Sequence, residues 1–155
     1  MKPVTVRLSD LLAVIVAIVA LTAAGVIWMY RTNKADRAYR ETLARESLIT
    51  IFQAEHKAKR DGLPCYQGLA ALVSKERLRV SDRLGGFLVN GYTIVVTIPP
   101  TCDSFRGFAY PDEPHGFNRT GDRSFVITHD GKLYTFEALS GQLLKTERIK
   151  IEAEL

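Results

Sequence analysis

The residues that most often carry chemistry are few in this chain and lie apart. Asp112, Glu113 and His115 offer oxygen and nitrogen ligands to a metal, but they lack the spacing of a known site, so a solvated loop is favoured. Glu55 and His56 are adjacent on a predicted helix and point about 100° apart, which is poor geometry for an acid–base pair. No Ser, Lys or Cys stands in a motif that activates a nucleophile. We therefore expect no enzyme, cofactor, metal or small-molecule substrate, and a small enzyme that uses Asp112 and His115 is the least favoured alternative.

The two cysteines, Cys65 and Cys102, leave two interpretations open. As a disulfide they would close a long loop and would require an oxidising compartment. As free thiols they would be two buried apolar side chains. Their pairing does not follow from the sequence alone.

Residues 11–30 form the most informative segment, because they contain no charge, no proline and one glycine. A helix of about 20 residues spans ~30 Å, which is the hydrocarbon thickness of a bilayer. The run is longer than the apolar part of a typical signal peptide, and no Ala-x-Ala cleavage site follows it. We expect a retained, single-pass transmembrane helix over 11–30, preceded by a tail at 1–10.

The formal net charge of +4 is concentrated just after the apolar run, in residues 31–60. Attraction to anionic lipid is one interpretation of this basic stem. A solvated helix face with i, i+4 pairs such as Asp36 with Arg40 is favoured, because acids are interleaved with the bases. No basic patch with interleaved aromatic residues indicates nucleic-acid binding.

The charges that flank the apolar run do not agree with the membrane orientation that we expect for it. Lys2 and Arg7 precede the apolar run, whereas four bases follow it, and the positive-inside rule read alone would leave the carboxy-terminal part in the cytoplasm. The rule is statistical, and a short basic amino-terminal tail is compatible with the opposite insertion. We expect a cytoplasmic tail at 1–10, a span across the inner membrane and a periplasmic or extracellular carboxy-terminal domain.

The pattern after the apolar run predicts an α+β domain. Residues 31–61 continue the long helix, with an apolar stripe that a sheet would cover, and Gly62 is suited to a left-handed helix cap. A short second helix is expected over 67–75 and a loop over 83–90. Strands are expected over 92–98, 105–110, 124–128 and 132–137, with the Asp130-Gly131 turn joining the last two. The tail after residue 147 alternates at Ile149 and Ile151, so it is either a further strand or a frayed end. The prediction is a three- to four-stranded antiparallel sheet over 62–155, with these helix positions facing it: Ala44, Leu48, Ile51, Phe52 and Ala58.

This order of elements resembles a type IV pilin or pseudopilin, over roughly residues 6–141. The segment LSDLLAVIVAI, residues 8–18, is similar to the family's LIELLVVIAI start, with Asp10 where the family places a glutamate. Residues 48–72 are similar to the family's helix end, aromatic residue and short Leu-x-x-Leu helix. Glycine-aromatic pairs at Gly91-Tyr92 and Gly107-Phe108, and the segment 121–125 ahead of Asp130-Gly131, continue the pattern.

The resemblance implies a structural or accessory subunit of a pilus or type II secretion-type assembly, whose partners are the lipid bilayer and other pilin-like or secretion-system subunits. Association would run through the first helix, where the small residues Ala20, Ala24 and Gly25 allow close approach. In the family the glutamate pairs with a neighbouring subunit's amine, although Asp10 at the membrane edge is favoured as a helix cap. Thr5 and Val6 replace the glycine and phenylalanine of the family's cleavage site. This departure favours the alternative of a membrane-tethered binding or sensing module that does not polymerise.

Overall fold

The computed structural model describes residues 8–74, 88–89, 91–116 and 119–149, with side chains left undescribed at 8–13, 70, 73–74 and 88–89. Helix α1 covers Leu8–Arg60 and helix α2 covers Leu69–Ser74. Six strands follow: β1 Leu88–Val89, β2 Tyr92–Thr97, β3 Arg106–Pro111, β4 Arg123–Thr128, β5 Lys132–Glu137 and β6 Leu143–Arg148. The predicted α+β class is confirmed.

The chain divides into two compact units, Met1–Asp36 and Arg37–Leu155. In the first unit the described residues, 8–36, are all helical. The second unit contains the helix from Arg37 onward together with the sheet and α2. The globular unit therefore starts inside the predicted helical segment 31–61 rather than at residue 62.

The sheet is a meander in which each strand pairs antiparallel with the next, in the order β1 to β6. The four strands expected from the sequence are found, each with bounds within about one residue of the prediction. Two further strands were not expected. Strand β1 is only two residues long, within the predicted loop 83–90, whose other residues are outside the described part of the chain. Strand β6 was not recognised because nearly every one of its side chains is exposed, so it carries no alternation of buried and exposed residues.

The core of the globular unit lies between α1 and one face of the sheet. The predicted stripe on α1 is confirmed, since each of its five residues is no more than 1% exposed. Leu48 lies so close to the sheet that a Cβ on Gly107 would be 3.1 Å from its methyl carbon. Full burial of each large apolar side chain contributes roughly 1.5–3 kcal/mol. The sheet supplies these buried residues: Tyr92, Ile94, Ala109, Phe125, Ile127 and Leu133. Phe105, just before β3, is buried with them.

Helix α1 ends as its sequence predicts. Gly62 has a φ of +87°, which a glycine adopts without steric cost. The Leu63 amide donates to the Ala58 carbonyl at 3.3 Å and the Gly62 amide donates to the Lys59 carbonyl at 3.2 Å. These two bonds form a Schellman cap, which satisfies carbonyls at the helix end and turns the chain back toward α2.

Helix α2 is shorter than the predicted 67–75. The amides of Ala71 and Leu72 both donate to the Gly68 carbonyl, so the helix begins after Gly68. The Gln67 amide, just before the helix, donates to the Glu55 carboxylate at 2.8 Å. The predicted end at Lys75 lies outside the described residues.

The β4–β5 turn also follows the prediction. Gly131 has a φ of +80°, and its amide donates to the Thr128 carbonyl at 2.9 Å. The Asp130 side chain accepts a hydrogen bond from the Thr128 hydroxyl and forms an ion pair with Lys132 at 2.7 Å. Both side-chain contacts hold the pKa of Asp130 below its ordinary value. The predicted role of Asp130-Gly131 in the hairpin is confirmed.

Candidate functional site: the exposed apolar helix and the disulfide corner

The side chains of residues 14–30 are all exposed on α1. An 18-residue window of this helix has a mean hydropathy of 2.0, and none of it is buried. Leu21 is 74% exposed and Trp28 is 70% exposed. Contiguous apolar surfaces of this size are rare on soluble monomers and occur mostly at contacts with membranes or with other proteins. The helix is long and apolar enough to cross a bilayer, as the sequence predicts.

The polar hydroxyl in the middle of this segment is satisfied within the helix itself. The Thr22 hydroxyl donates to the carbonyls of Ile18 and Val19, at 3.0 and 2.9 Å. A polar group without a partner costs several kcal/mol in hydrocarbon. Because of these two bonds, Thr22 has no unpaired polar group when the segment lies in an apolar medium.

The end of the apolar segment has the composition of a membrane–water interface. Trp28 and Tyr30 are both exposed, and the charged residues Arg31 and Lys34 follow directly. Amphipathic aromatic rings favour the headgroup level, and the bases favour water or lipid phosphates. The chemical boundary of the segment therefore falls at residues 28–31.

The predicted assembly residues are only partly brought together. At 100° per residue, Ala20 and Ala24 lie on one face of α1 together with Ala17. Gly25 points about 100° away from Ala24, and a Cβ added to it would meet nothing within 4 Å. A small-residue face thus exists, but Gly25 is not part of it. Asp10 lies within the described helix backbone, while its side chain is outside the described residues.

The favoured cap role of Asp10 is wrong for this helix. The described part of α1 already includes Leu8, so Ser9 and Asp10 are within the helix rather than at the residue that precedes it. A carboxylate near the start of a helix is still favoured by the helix dipole.

The structure joins Cys65 to Cys102 in a disulfide, with Cα atoms 5.0 Å apart. The Tyr66 amide donates to the Cys102 carbonyl at 3.2 Å, so backbone and disulfide hold the same two segments together. Cys102 has a φ of +50°, in a turn closed by its own amide on the Pro99 carbonyl. The segment between the two helices is thereby fixed to the loop between β2 and β3.

A buried carboxylate, missed in the sequence, lies beside this disulfide. Glu55 is 0% exposed; its Oε2 accepts the Gln67 amide, and its Oε1 has no hydrogen-bond partner among the described residues. Burial raises the pKa of Glu55 to about 7, and the Gln67 amide opposes this shift. Its burial could have been predicted from its position, because Glu55 falls four residues after Ile51 and therefore on the apolar stripe of the helix.

The polar residues around Glu55 do not form a catalytic arrangement. The His56 ring contacts Phe52, and its Nε2 lies 2.8 Å from the His129 carbonyl oxygen. Burial lowers the pKa of His56 below its ordinary value. The Lys59 ammonium donates to the Pro64 carbonyl at 2.5 Å, so its charge is not paired with Glu55 in the described part of the chain.

The loop residues that the sequence offered as metal ligands each make separate contacts. Asp112 accepts a hydrogen bond from the Thr93 hydroxyl, and the Glu113 amide donates to Thr120 at 3.2 Å. His115 is exposed. Within the described residues, no three His, Cys, Asp or Glu side chains are grouped to hold a metal ion.

A groove of about 470 Å³ lies between α1 and strand β6. Its walls carry charges of both signs, and Arg45 on α1 bonds Glu147 on β6 at 2.6 Å. Lys145 bonds the same carboxylate at 2.5 Å. Phe125 on β4 forms part of the lining. Arg45 and Lys145 share this one carboxylate, and the lining as a whole has three bases against two acids, so the groove presents only a small net positive charge to a ligand.

Comparison of the chain with models of protein families, with curated proteins and with solved structures gave no match.

Proposed function

We propose that this protein is a single-pass membrane protein of the pilin-like type. It would act as a structural or accessory subunit of a pilus or type II secretion-type assembly, with no catalytic role. The observation that carries the proposal is the fully exposed, uncharged helix surface of residues 14–30 in a chain whose remaining part forms its own core. A helix with this surface needs lipid or other helices around it.

The same helical segment, residues 11–30, would both anchor the protein in the membrane and contact neighbouring subunits. Lipid covers most of the helix, and the face with Ala17, Ala20 and Ala24 permits a second helix to approach closely. Position 10 lies seven residues before Ala17, so helical periodicity puts Asp10 on that same face. A carboxylate there pairs best with a cation of the neighbouring helix, since an unpaired charge in the membrane costs about 3 kcal/mol.

The compartment is proposed from the disulfide. A bond between Cys65 and Cys102 persists in an oxidising compartment, which favours a globular unit on the outer side of the inner membrane. The four bases that follow the apolar run oppose this orientation. Labelling Cys65 and Cys102 in intact cells with an impermeant maleimide separates the two orientations. We expect labelling only after reduction; labelling that requires permeabilised cells would reverse the topology.

The sequence around the family's cleavage position favours a second candidate. Thr5 and Val6 stand where the family has glycine and phenylalanine. A chain that keeps its first residues would serve as a permanent membrane-tethered binding or sensing module. Intact mass of the purified protein distinguishes the two functions: a chain shortened and methylated near Val6 supports assembly, and a full-length chain supports the tether.

The alanine face is tested by a substitution with a matched control. Ala24→Leu adds bulk to the proposed contact, whereas Val26→Leu adds bulk on the opposite side of the same helix. In membranes that contain the full chain, we expect Ala24→Leu to reduce self-association of the helix by about tenfold, or ~1.4 kcal/mol. Equal effects of the two variants would contradict the proposed face.

A further inference from the structure

The face of the sheet that points away from α1 is apolar rather than polar. Along β2 to β5, the residues that alternate with the core positions are mostly half-buried. Helix α1 and Leu72 of α2 pack on the opposite, core face, so in the described part of the chain no helix covers this outer face. An uncovered face of an antiparallel sheet is normally polar. Its apolar residues are Val95, Phe108, Tyr110, Val126, Tyr134 and Phe136.

Four of these side chains are aromatic and lie close together on two strands. The register places Phe108 opposite Val126, and Val126 opposite Tyr134, so the three form one row across the sheet. Phe136 follows Tyr134 on the same face, with ring centroids 6.4 Å apart. Tyr110 follows Phe108 in the same way and is 45% exposed. We call these rings the aromatic patch: Phe108, Tyr110, Tyr134 and Phe136.

Three basic residues form the neighbouring row on the same face. Arg106 and Lys132 each precede a ring of the patch by two residues on their own strand, and Arg148 lies opposite Lys132. Thr128 lies opposite Arg106 and its hydroxyl reaches the Lys132 carbonyl at 3.1 Å, so the row is continuous. Lys132 pairs with Asp130 at 2.7 Å. Arg106 and Arg148 are exposed and have no ion pair among the described residues. We call Arg106, Lys132 and Arg148 the basic row.

The spacing of the basic row and the aromatic patch fits a nucleotide. Successive residues on one face of a strand lie ~7 Å apart, so Arg106 lies one such step from Phe108. In a nucleotide, the sugar holds the phosphate and the nucleobase a comparable distance apart. Aromatic side chains stack on the flat face of any unpaired nucleobase, and basic side chains bind the phosphates beside it. A duplex keeps its nucleobase faces stacked and offers only its phosphates.

We propose that the outer face of the sheet binds single-stranded nucleic acid. The phosphates lie along the basic row, and the nucleobases stack on the aromatic patch. The bound strand crosses the sheet from β3 to β6, a distance of ~14 Å at ~4.8 Å per strand. The sequence alone does not show this surface, because the three basic residues belong to three different strands. The inference does not depend on the pilin-like role proposed above.

A second copy of this chain fits the same face less well. The Glu41 carboxylate on α1 accepts the Asp122 amide just before β4, and His56 on α1 lies beside His129 just after β4. Helix α1 and strand β4 therefore run in the same direction. Two copies that face each other with their helices pointing the same way would bring their basic rows together. Like charges opposite one another destabilise such a contact, so an anionic partner is favoured.

The first test measures binding of a fluorescent oligothymidine of about ten nucleotides to the full chain in uncharged detergent micelles, by fluorescence anisotropy. At ~50 mM salt we expect a Kd of about 100 µM or tighter. A duplex of the same length and poly-glutamate carry negative charge without free nucleobase faces, so each is expected to bind at least about fivefold more weakly. An oligothymidine that does not bind, or a duplex or poly-glutamate that binds equally well, would overturn the inference.

Substitution of one ring tests the stacking. Tyr134→Leu keeps an apolar side chain but removes the ring, so it is expected to weaken binding about fivefold or more. Tyr134→Phe keeps the ring and is expected to bind like the parent. Phe136→Leu is expected to act as Tyr134→Leu does, which provides a second variant should the first fail to fold. Parental affinity in a leucine variant that keeps its melting temperature would overturn the role of the aromatic patch.

Salt dependence tests the basic row. With two phosphates bound by Arg106 and Arg148, the slope of log K against log salt is expected to be about −1.4. Arg106→Gln removes one contact, so the slope should weaken by about 0.7 and the affinity should fall about eightfold at ~50 mM salt. Arg60→Gln removes an exposed base on α1, behind the sheet, and is the matched control that should change neither. Equal effects of these two variants would overturn the phosphate contacts.

Discussion

Replacement of Glu55 by glutamine is the perturbation that the structure predicts in most detail. The carboxyl group is fully buried, one of its oxygens accepts the Gln67 amide, and the other has no partner in the described part of the chain. Glutamine keeps the shape and can accept the same hydrogen bond through its amide oxygen, but it cannot ionise. The substitution therefore removes one proton equilibrium from the core. It also places an NH2 group where Oε1 has no partner, at a cost that does not vary with pH.

The magnitude follows from the difference between the two pKa values of Glu55. The pKa is about 7 in the folded protein and 4.5 as the model value for the unfolded chain. At 1.36 kcal/mol per pKa unit, this difference corresponds to about 3 kcal/mol. Because the folded pKa is the higher one, the folded state binds the proton more tightly. The stabilisation is fully present below pH 4.5, declines as the pH rises, and is lost above pH 7.

The assay is the free energy of unfolding of the full chain in detergent micelles, measured from pH 5 to pH 8 by circular dichroism with denaturant. We expect the free energy of unfolding of Glu55→Gln to rise relative to that of the parent by about 2–3 kcal/mol between pH 5 and pH 8. His56 titrates nearby with a lowered pKa and changes stability in the opposite direction. Because His56 is present in both proteins, the difference between them isolates Glu55.

Glu46→Gln is the matched control, because Glu46 is an exposed carboxylate on the same helix. Its difference from the parent is expected to stay constant over this pH range. A difference between Glu55→Gln and the parent that is equally constant would refute the raised pKa of the buried Glu55 carboxyl group.

Two further predictions concern the globular unit. The disulfide closes a loop across a sequence separation of 37 residues, so Cys65→Ser with Cys102→Ser is expected to lower the free energy of unfolding by about 3–4 kcal/mol, and addition of reductant to the variant should change nothing. A Cβ on Gly121 would lie 1.9 Å from the hydroxyl oxygen of the buried Tyr92 ring, so Gly121→Ala is expected to cost at least about 2 kcal/mol in denaturant unfolding. Gly68→Ala is its control, because a Cβ there meets nothing within 4 Å; equal losses at the two glycines would contradict the packing of Tyr92.

Periodicity and turn chemistry were sufficient to predict most of the fold. The apolar stripe on α1 repeats at helical spacing, and the same residues are buried in the core of the structure. Gly62 and the Asp130-Gly131 turn are positions where backbone geometry restricts the residue type, so their roles could be read directly. Strand β2 was found because its β-branched residues are followed by Pro99-Pro100.

The errors arose where tertiary context decides the outcome. Strand β6 is exposed along nearly its whole length, and it forms because β5 offers it a backbone edge rather than because of its own side chains. Helix α2 begins two residues later than expected, at Leu69, and the Gln67 amide just before it bonds Glu55, twelve residues earlier in the chain. Glu55 itself was considered only beside His56, and its position on the apolar face was not used. A pairing between distant cysteines likewise depends on how the chain folds back.

The central claim is that the apolar part of α1 lies in lipid and ends at the membrane surface near Trp28. Trp28 is the only tryptophan in the chain, so its fluorescence reports this position without labelling. In the full chain reconstituted into vesicles with lipids brominated at different depths, we expect the strongest quenching from bromines close to the headgroups and little quenching by aqueous iodide. Strong quenching by iodide with none from the brominated lipids would contradict the claim.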